Sequence, residues 1–144
     1  MLMLAREASR DDVHTDNVVR NDIRRVERFR GLIEEHFRKN LSLQDYASGM
    51  GMSQGQLRAM CYSAFGLSPT KLIRERIIVE ARRYLIFGDM TVEQIAFGLG
   101  FTDAAYFTRF FRKETGQAPS QFRLAARRLS ALDAGQRKEP LATS

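Results

Sequence analysis

The sequence is poor in the residues from which disulfides and metal sites are built. It contains one cysteine, Cys61, and two histidines, His14 and His36, which lie far apart in the chain. A single cysteine cannot form an intramolecular disulfide and is typical of a reducing compartment. These three residues also lack the spacing of a tetrahedral zinc site. We therefore predict no disulfide, no metal and no cofactor.

Long apolar runs and strand-like alternation are also missing. No stretch approaches the ~20 apolar residues of a membrane-spanning helix, and the N-terminal MLML is too short for the core of a signal peptide. The 144 residues include three prolines and no tryptophan, whereas residue types that favour helices are frequent. These absences predict an all-α protein of the cytoplasm with no membrane partner.

The charge is unevenly distributed along the chain. The formal net charge is +6; residues 1–21 contribute −1 and the remaining residues +7. A basic folded region is typical of a protein with a polyanionic partner. A basic protein without any nucleic-acid role has the same composition, so charge alone leaves both interpretations open.

A helix with two different faces is predicted within residues 98–119. Its apolar face repeats at i, i+3 and i+4 and consists of Phe107, Phe110 and Phe111. This spacing directs the three rings toward a core. The other face is small, polar and basic and consists of Ala105, Thr108, Arg109 and Arg112. Such a helix is suited to a groove of nucleic acid.

Capping signals and apolar periodicity divide the chain into about seven helices. Predicted N-caps precede four of them and are Ser42, Ser53, Ser68 and Thr91. We expect a flexible tail or linker remnant over residues 1–21 and a folded domain over 22–130, followed by a disordered tail over 131–144. The domain is predicted to contain helices within 42–66, a long helix over 69–87, helices within 91–116 and a final helix over 119–130.

One unit of short helix, glycine turn and longer helix occurs twice. Four small residues recur after 49 positions: Ala47, Gly49, Gly51 and Ser53, matched by Ala96, Gly98, Gly100 and Thr102. Five further residues recur after 50 positions: Leu57, Met60, Cys61, Gly66 and Pro69, matched by Phe107, Phe110, Phe111, Gly116 and Pro119. The outward faces correspond as well, with Gly55, Arg58, Ala59 and Tyr62 matched by Ala105, Thr108, Arg109 and Arg112. The repeat predicts two helix-turn-helix units.

Residues from about 22 to 128 resemble the DNA-binding domain of AraC/XylS-type bacterial transcriptional regulators. The resemblance is carried by Ile95-Ala96, Gly100-Phe101, Tyr106-Phe107, Arg109 to Lys113, Gly116, Pro119, Phe122 and Arg123. The first unit matches less closely, because Tyr46 replaces the usual leucine and Cys61 the usual phenylalanine. The resemblance implies two helix-turn-helix subdomains joined by the linker helix of residues 69–87.

We accordingly predict a sequence-specific DNA-binding regulator and not an enzyme. Its two reading helices are expected to enter successive major grooves of an asymmetric double-stranded site. The resemblance further implies an activator that contacts RNA polymerase and is associated with the nucleoid. Many members carry an effector-binding or dimerising domain before this module. Because residues 1–21 are too short for one, we expect such a domain to be absent from this chain and favour a piece of a larger regulator over a stand-alone one.

The candidate DNA contacts fall into three groups. Base readout is expected from Arg109, Arg58 and Gln54. Phosphate contacts are expected from the amides that begin both reading helices and from Thr108, Arg112 and Lys113. Only small, mainly apolar contacts are expected from Gly55, Ala59, Ala104 and Ala105. Because these side chains are small, the alternative of a protein-interaction module that has lost specific DNA reading stays open.

Overall fold

The computed structural model describes residues 20–142, and describes side chains as far as residue 135. The helices in this range are α1 (20–36), a 3-10 helix (Phe37–Lys39), α2 (Leu43–Met50), α3 (Gln54–Phe65), α4 (Pro69–Phe87), α5 (Val92–Gly98), α6 (Ala104–Thr115) and α7 (Pro119–Ala142). The described residues contain no strand, which confirms the predicted all-α class. Within the same range, no helix is both long enough and apolar enough to span a bilayer.

Reciprocal caps start three helices where the sequence predicted them. The Ser42 hydroxyl accepts from the Asp45 amide at 3.1 Å, and the Asp45 carboxylate accepts from the Ser42 amide at 3.0 Å. The pairs Ser53–Gln56 and Thr91–Gln94 have the same arrangement. Each pair satisfies two backbone donors that a helix start leaves without an intrahelical partner.

The first compact unit contains, among the described residues, 20–37 and Leu41–Arg74. Its core includes the fully buried Phe29, Leu57 and Cys61. The Tyr46 ring is also buried and contacts Phe29 edge-on at a centroid distance of 6.1 Å. Burial raises the pKa of the Tyr46 hydroxyl, which has no hydrogen-bond partner among the described residues. The aromatic ring of Tyr46 is thus part of the core of the first unit.

The second unit contains Arg38–Asn40 and the chain from Glu75 onward. Phe107 and Phe111 of α6 are fully buried, and Phe101 lies 5.2 Å from the rings of both Phe107 and Phe110. The Phe111 ring contacts Phe122 of α7 at 5.6 Å. The predicted apolar face of this helix is therefore confirmed as the centre of an aromatic core.

The backbone supports the internal repeat and corrects one of its pairings. Gly51 and Gly100 both have positive φ, +67° and +90°, in the turn after the short helix. Pro69 and Pro119 both begin helices, α4 and α7. The cap of α6, however, is Asp103 and not Thr102. Ser53 therefore corresponds to Asp103, and the shift from a 49- to a 50-residue offset lies within the turn.

The ends of the folded region differ from the prediction. Helix α1 is already present at residue 20, and residues 1–19 of the predicted tail lie outside the described residues. Helix α7 continues from the predicted end at residue 130 to Ala142, where a disordered tail was expected. Alanine and leucine at positions 131, 132 and 134 have high helix propensity, so the helix that starts at Pro119 continues. Residues 143–144 are not described.

Both the side chain and the backbone of Arg38 contact the rest of the second unit. Its guanidinium donates to the Glu80 carboxylate at 3.2 Å and to the Tyr84 hydroxyl at 3.0 Å. Its carbonyl group lies against Gly100 so closely that a Cβ at Gly100 would overlap the carbonyl oxygen and lie 3.0 Å from the carbonyl carbon. The turn between α5 and α6 is therefore in direct backbone contact with residues 38–40.

Candidate nucleic-acid interface

The candidate residues of α6 form one face. Ala105, Arg109, Arg112 and Lys113 are exposed, whereas Ala104 and Thr108 are half-buried at its edge. Phe107 and Phe111 lie on the other side of the helix in the core. Aromatic packing thus fixes the rotation of α6 about its axis, and this rotation presents the basic face to solvent.

Arg109 is the most available cation on this face. Its side chain is exposed and makes no hydrogen bond or ion pair with any described residue. Arg112 and Lys113 lie in the last turn of α6, where positive charge is favourable beside the exposed carbonyl groups. These two cations therefore have a stabilising role in the helix itself, whereas no comparable intramolecular role is evident for Arg109.

Two groups of α6 that the sequence predicted as phosphate contacts donate to neighbouring residues. The Thr108 hydroxyl donates to the Ala104 carbonyl at 3.0 Å, so its proton is already used. The Ala105 amide donates to the Asp103 carboxylate at 2.8 Å. A carboxylate at a helix start repels a phosphate that approaches the same amides. A phosphate contact by either group would require its own hydrogen bond to be exchanged.

The candidate residues of α3 also share a solvent-facing surface. Gly55, Arg58 and Ala59 are exposed and Gln54 is half-buried, while Leu57 and Cys61 are fully buried behind them. Tyr62 extends this surface toward the end of the helix and is 58% exposed. The Gln56 side chain accepts from the Ser53 amide at 2.9 Å and is used in the cap of α3.

The small side chain of Ala59 borders an open groove of about 450 Å³ in the first unit. Arg25 and Arg28 of α1 line the same groove. Arg28 donates to the Gly49 carbonyl at 3.3 Å, and Arg25 is exposed. Sequence reasoning missed this contribution of α1, because the proximity of α1 to α3 results from tertiary packing.

Much of the remaining basic surface is engaged in internal contacts. Arg76 and Arg83 lie within 3.1 and 3.7 Å of the Glu80 carboxylate, and Arg127 lies 3.9 Å from Asp89. Arg123 donates to the Leu85 carbonyl at 3.1 Å. Burial and the nearby charge of Arg127 lower the pKa of the Arg123 guanidinium, and the carboxylate of Asp89 partly offsets this shift. Positive charge available to a polyanion is thus concentrated on fewer residues than the composition suggests.

Cys61 has no feature of a reactive thiol. It is fully buried, and burial raises the pKa of the thiol to about 11. The thiolate is the nucleophilic form, so the protonated group is unreactive at neutral pH. Cys61 is therefore a core residue of the first unit.

Sequence reasoning also missed Gln44 and Asp103. Gln44, the second residue of α2, accepts a hydrogen bond from the Gln54 side chain at 2.9 Å. Asp103 is the N-cap of α6. The 50-residue offset from Ser53 to Asp103 could have revealed the cap, whereas no local signal indicates the contact between Gln44 and Gln54.

The sequence of this chain is similar to those of known proteins. The family described as "Helix-turn-helix domain" matches residues 46–125. The virulence regulon transcriptional activator VirF of Yersinia enterocolitica is 34% identical over 98 residues, which represent 68% of this chain and 36% of VirF. The chain therefore spans little more than a third of the length of this curated relative.

Solved structures have the same fold. A transcriptional regulator with an AraC-type DNA-binding domain from Chromobacterium violaceum aligns with a TM-score of 0.65 at 24% identity, over 74% of this chain and 95% of that one. The DNA-binding domain of the global transcriptional factor AdpA, solved with a target DNA, aligns with a TM-score of 0.64 at 23% identity, over 69% of this chain and 89% of that one. The matched family and the shared architecture establish that the chain belongs to the AraC-type family of helix-turn-helix transcriptional regulators.

Proposed function

We propose that this chain binds double-stranded DNA sequence-specifically and activates transcription, with α3 and α6 entering successive major grooves of an asymmetric site. The observation that carries the proposal is the repeated unit: α3 and α6 each bury an apolar face and present a corresponding outer face to solvent. Two different reading helices in one chain favour two different half-sites, in contrast to the palindrome that a symmetric dimer reads.

Helix α6 is proposed to supply the main direct readout. A guanidinium with five donors can bind the O6 and N7 atoms of guanine together, and Arg109 is exposed with no hydrogen-bond or ion-pair partner among the described residues. Arg112 and Lys113, one turn further along, are proposed to contact phosphates. Ala104 and Ala105 have side chains short enough to allow close approach of the helix to the bases, and Thr108 contributes only if its bond to Ala104 is exchanged.

Helix α3 is proposed to read DNA with fewer long side chains. Gln54 and Arg58 are the polar candidates, and they lie one turn apart on the same face. Gly55 has no side chain, and Ala59 offers only a methyl group, which suits contact with a thymine methyl. The groove beside Ala59 adds the cation of Arg25 for the phosphate backbone.

The partners follow from this arrangement and from the relatives. Double-stranded DNA is supported by the AdpA domain, which was solved with its target DNA. Activation, with RNA polymerase as a protein partner, is supported by the description of VirF as a transcriptional activator. A cytoplasmic location at the nucleoid is part of the same proposal.

Substitution of two arginines on α6 separates base readout from phosphate binding. Arg109→Ala is expected to reduce the preference for one base pair by about 1–3 kcal/mol. Arg112→Ala is expected to weaken binding to all sequences about equally and to make the salt slope of the logarithm of affinity shallower by about 1. Fluorescence anisotropy of the full chain with a selected duplex and its single-base variants, at several salt concentrations, measures both effects.

The same two variants can contradict the assignment of base readout to Arg109. If both variants lose affinity equally for every duplex, Arg109 is a phosphate anchor and the assignment of base readout is wrong. The alternative function, a protein-interaction module without DNA reading, is favoured by the four small side chains on the reading faces. It predicts that the parent protein selects no duplex sequence. The DNA-binding proposal is contradicted if no duplex binds at low salt, and contacts to about six phosphates predict a log–log salt slope near −5.

A further inference from the structure

A chain of side-chain hydrogen bonds connects the two helices of the first helix-turn-helix unit. Gln44 of α2 donates from its amide nitrogen to the Ser48 hydroxyl at 3.2 Å and accepts from the Gln54 amide nitrogen at 2.9 Å. The Gln54 amide oxygen in turn accepts a long bond of 3.5 Å from Arg58. Because a guanidinium can only donate, the Arg58 contact identifies the neighbouring atom as the Gln54 oxygen, which leaves the Gln54 nitrogen facing the Gln44 oxygen.

These hydrogen bonds leave Gln54 with unused hydrogen-bonding capacity. A glutamine amide has two N–H donors and an oxygen with two lone pairs. Gln54 uses one donor on Gln44 and one lone pair on Arg58, so one donor and one lone pair remain. This combination is the one that pairs with the N7 and N6 atoms of adenine in the major groove.

The second unit has no equivalent of this pair. Glu93 stands at the position that corresponds to Gln44, and Ala104 at the position that corresponds to Gln54. The pair is therefore not a requirement of the helix-turn-helix architecture. It occurs in the unit whose reading helix has Gly55 and Ala59 on its outer face, where few other side chains can read a base.

We propose that Gln44 is a positioning residue that orients Gln54 for base readout by α3. The inference rests on the proposed DNA-binding function. Restriction of a flexible glutamine before binding removes part of the entropy loss that its ordering on DNA would otherwise require. Gln44 acts through Gln54, so its effect is specific to the base pair that Gln54 contacts and does not extend to the rest of the site.

The test compares three variants of the full chain on a selected duplex and its single-base variants. Gln44→Ala removes the acceptor for Gln54, and is expected to reduce the preference at one base pair by about 5-fold. Gln44→Glu keeps an acceptor oxygen, so the preference is expected to persist although the added negative charge lowers affinity for all duplexes. Glu93→Ala, the matched control in the second unit, is expected to leave the preference at that base pair unchanged.

A double substitution distinguishes positioning from a general effect on folding. In a Gln54→Ala background, Gln44→Ala is expected to change no base preference, and the unfolding midpoint is expected to stay near that of the parent because the contact is exposed. An unchanged preference in Gln44→Ala, or an equal effect in the Gln54→Ala background, overturns the inference while the DNA-binding proposal stands. Failure of the parent chain to bind or select any duplex overturns both.

Discussion

Replacement of Gly100 by alanine should lower the free energy of unfolding by on the order of 3 kcal/mol. Two effects combine at this position. Its φ of +90° is unfavourable for a residue with a Cβ, and the added Cβ would overlap the Arg38 carbonyl oxygen. Because the neighbouring atoms belong to the backbone, relief requires displacement of the chain at residues 38–40 and not only a new side-chain rotamer.

Gly116→Ala is the matched control for this substitution. Gly116 lies in the same unit and has a similar φ of +84°, but a Cβ there would meet nothing within 4 Å. Gly116→Ala should therefore lower the free energy of unfolding only through backbone strain, by about 1–2 kcal/mol. Denaturant unfolding followed by far-UV circular dichroism measures both variants. Equal losses would show that the contact of Gly100 with Arg38 contributes nothing to stability.

Removal of the Glu80 carboxylate should lower the free energy of unfolding by an amount similar to that of Gly100→Ala. Glu80 is 3% exposed, and its carboxylate lies within 3.7 Å of the guanidinium groups of Arg38, Arg76 and Arg83. Glu80→Ala leaves these cations together without their common anion and leaves a gap in the packing. Because Arg38 and Arg83 are partly solvated, we expect a loss of about 3 kcal/mol, at the low end for a disrupted buried pair.

The control for Glu80 lies on the same helix. Glu75 is exposed, so Glu75→Ala should change the free energy of unfolding by no more than about 0.5 kcal/mol. Glu80→Gln keeps the shape of the side chain but not its charge, and should fall between the two alanine variants. Urea denaturation of all three proteins gives the comparison. A Glu80→Ala protein as stable as Glu75→Ala would mean that the carboxylate contributes no net stabilisation.

Local signals were sufficient to predict most helix starts. Ser42, Ser53 and Thr91 each precede a residue whose side chain completes a reciprocal cap, and this information lies within four consecutive residues. The apolar face of α6 was equally predictable, because Phe107 and Phe111 follow the helical period and form the aromatic core. Where a residue's environment is built by its near neighbours in sequence, the pattern was a reliable guide.

Contacts between distant residues were not predictable in this way. Gly100 could be recognised as a turn residue, but its contact with Arg38 joins positions 62 apart in the chain. Likewise, the sequence around Glu80 is typical of the exposed face of a charged helix, whereas the structure buries Glu80 in contact with Arg38. In the candidate interface, two hydrogen bonds are short-range but were also not predicted: the one from the Thr108 hydroxyl to the Ala104 carbonyl and the one from the Ala105 amide to Asp103. The residue types at these positions are compatible with other hydrogen bonds as well.

The candidate interface contains fewer exposed cations than the basic composition suggested. The guanidinium groups of Arg76 and Arg123 are engaged in internal contacts, whereas Arg83 contacts Glu80 but keeps a largely exposed side chain. The cations that stay exposed on the reading faces are Arg58, Arg109, Arg112 and Lys113. Specificity in this account therefore depends mainly on Arg109 in one half of the site and on Gln54 with Arg58 in the other.

Selection of bound duplexes from a random library, with the full chain, tests whether α3 and α6 read two half-sites. We predict enrichment of one asymmetric site whose two unlike half-sites lie about 10 base pairs apart, centre to centre. Arg109→Ala should remove a guanine preference from one half, and Gln54→Ala should change a preference only in the other. Enrichment of a palindrome, of a single half-site, or of no sequence at all would contradict the proposal that α3 and α6 read successive major grooves.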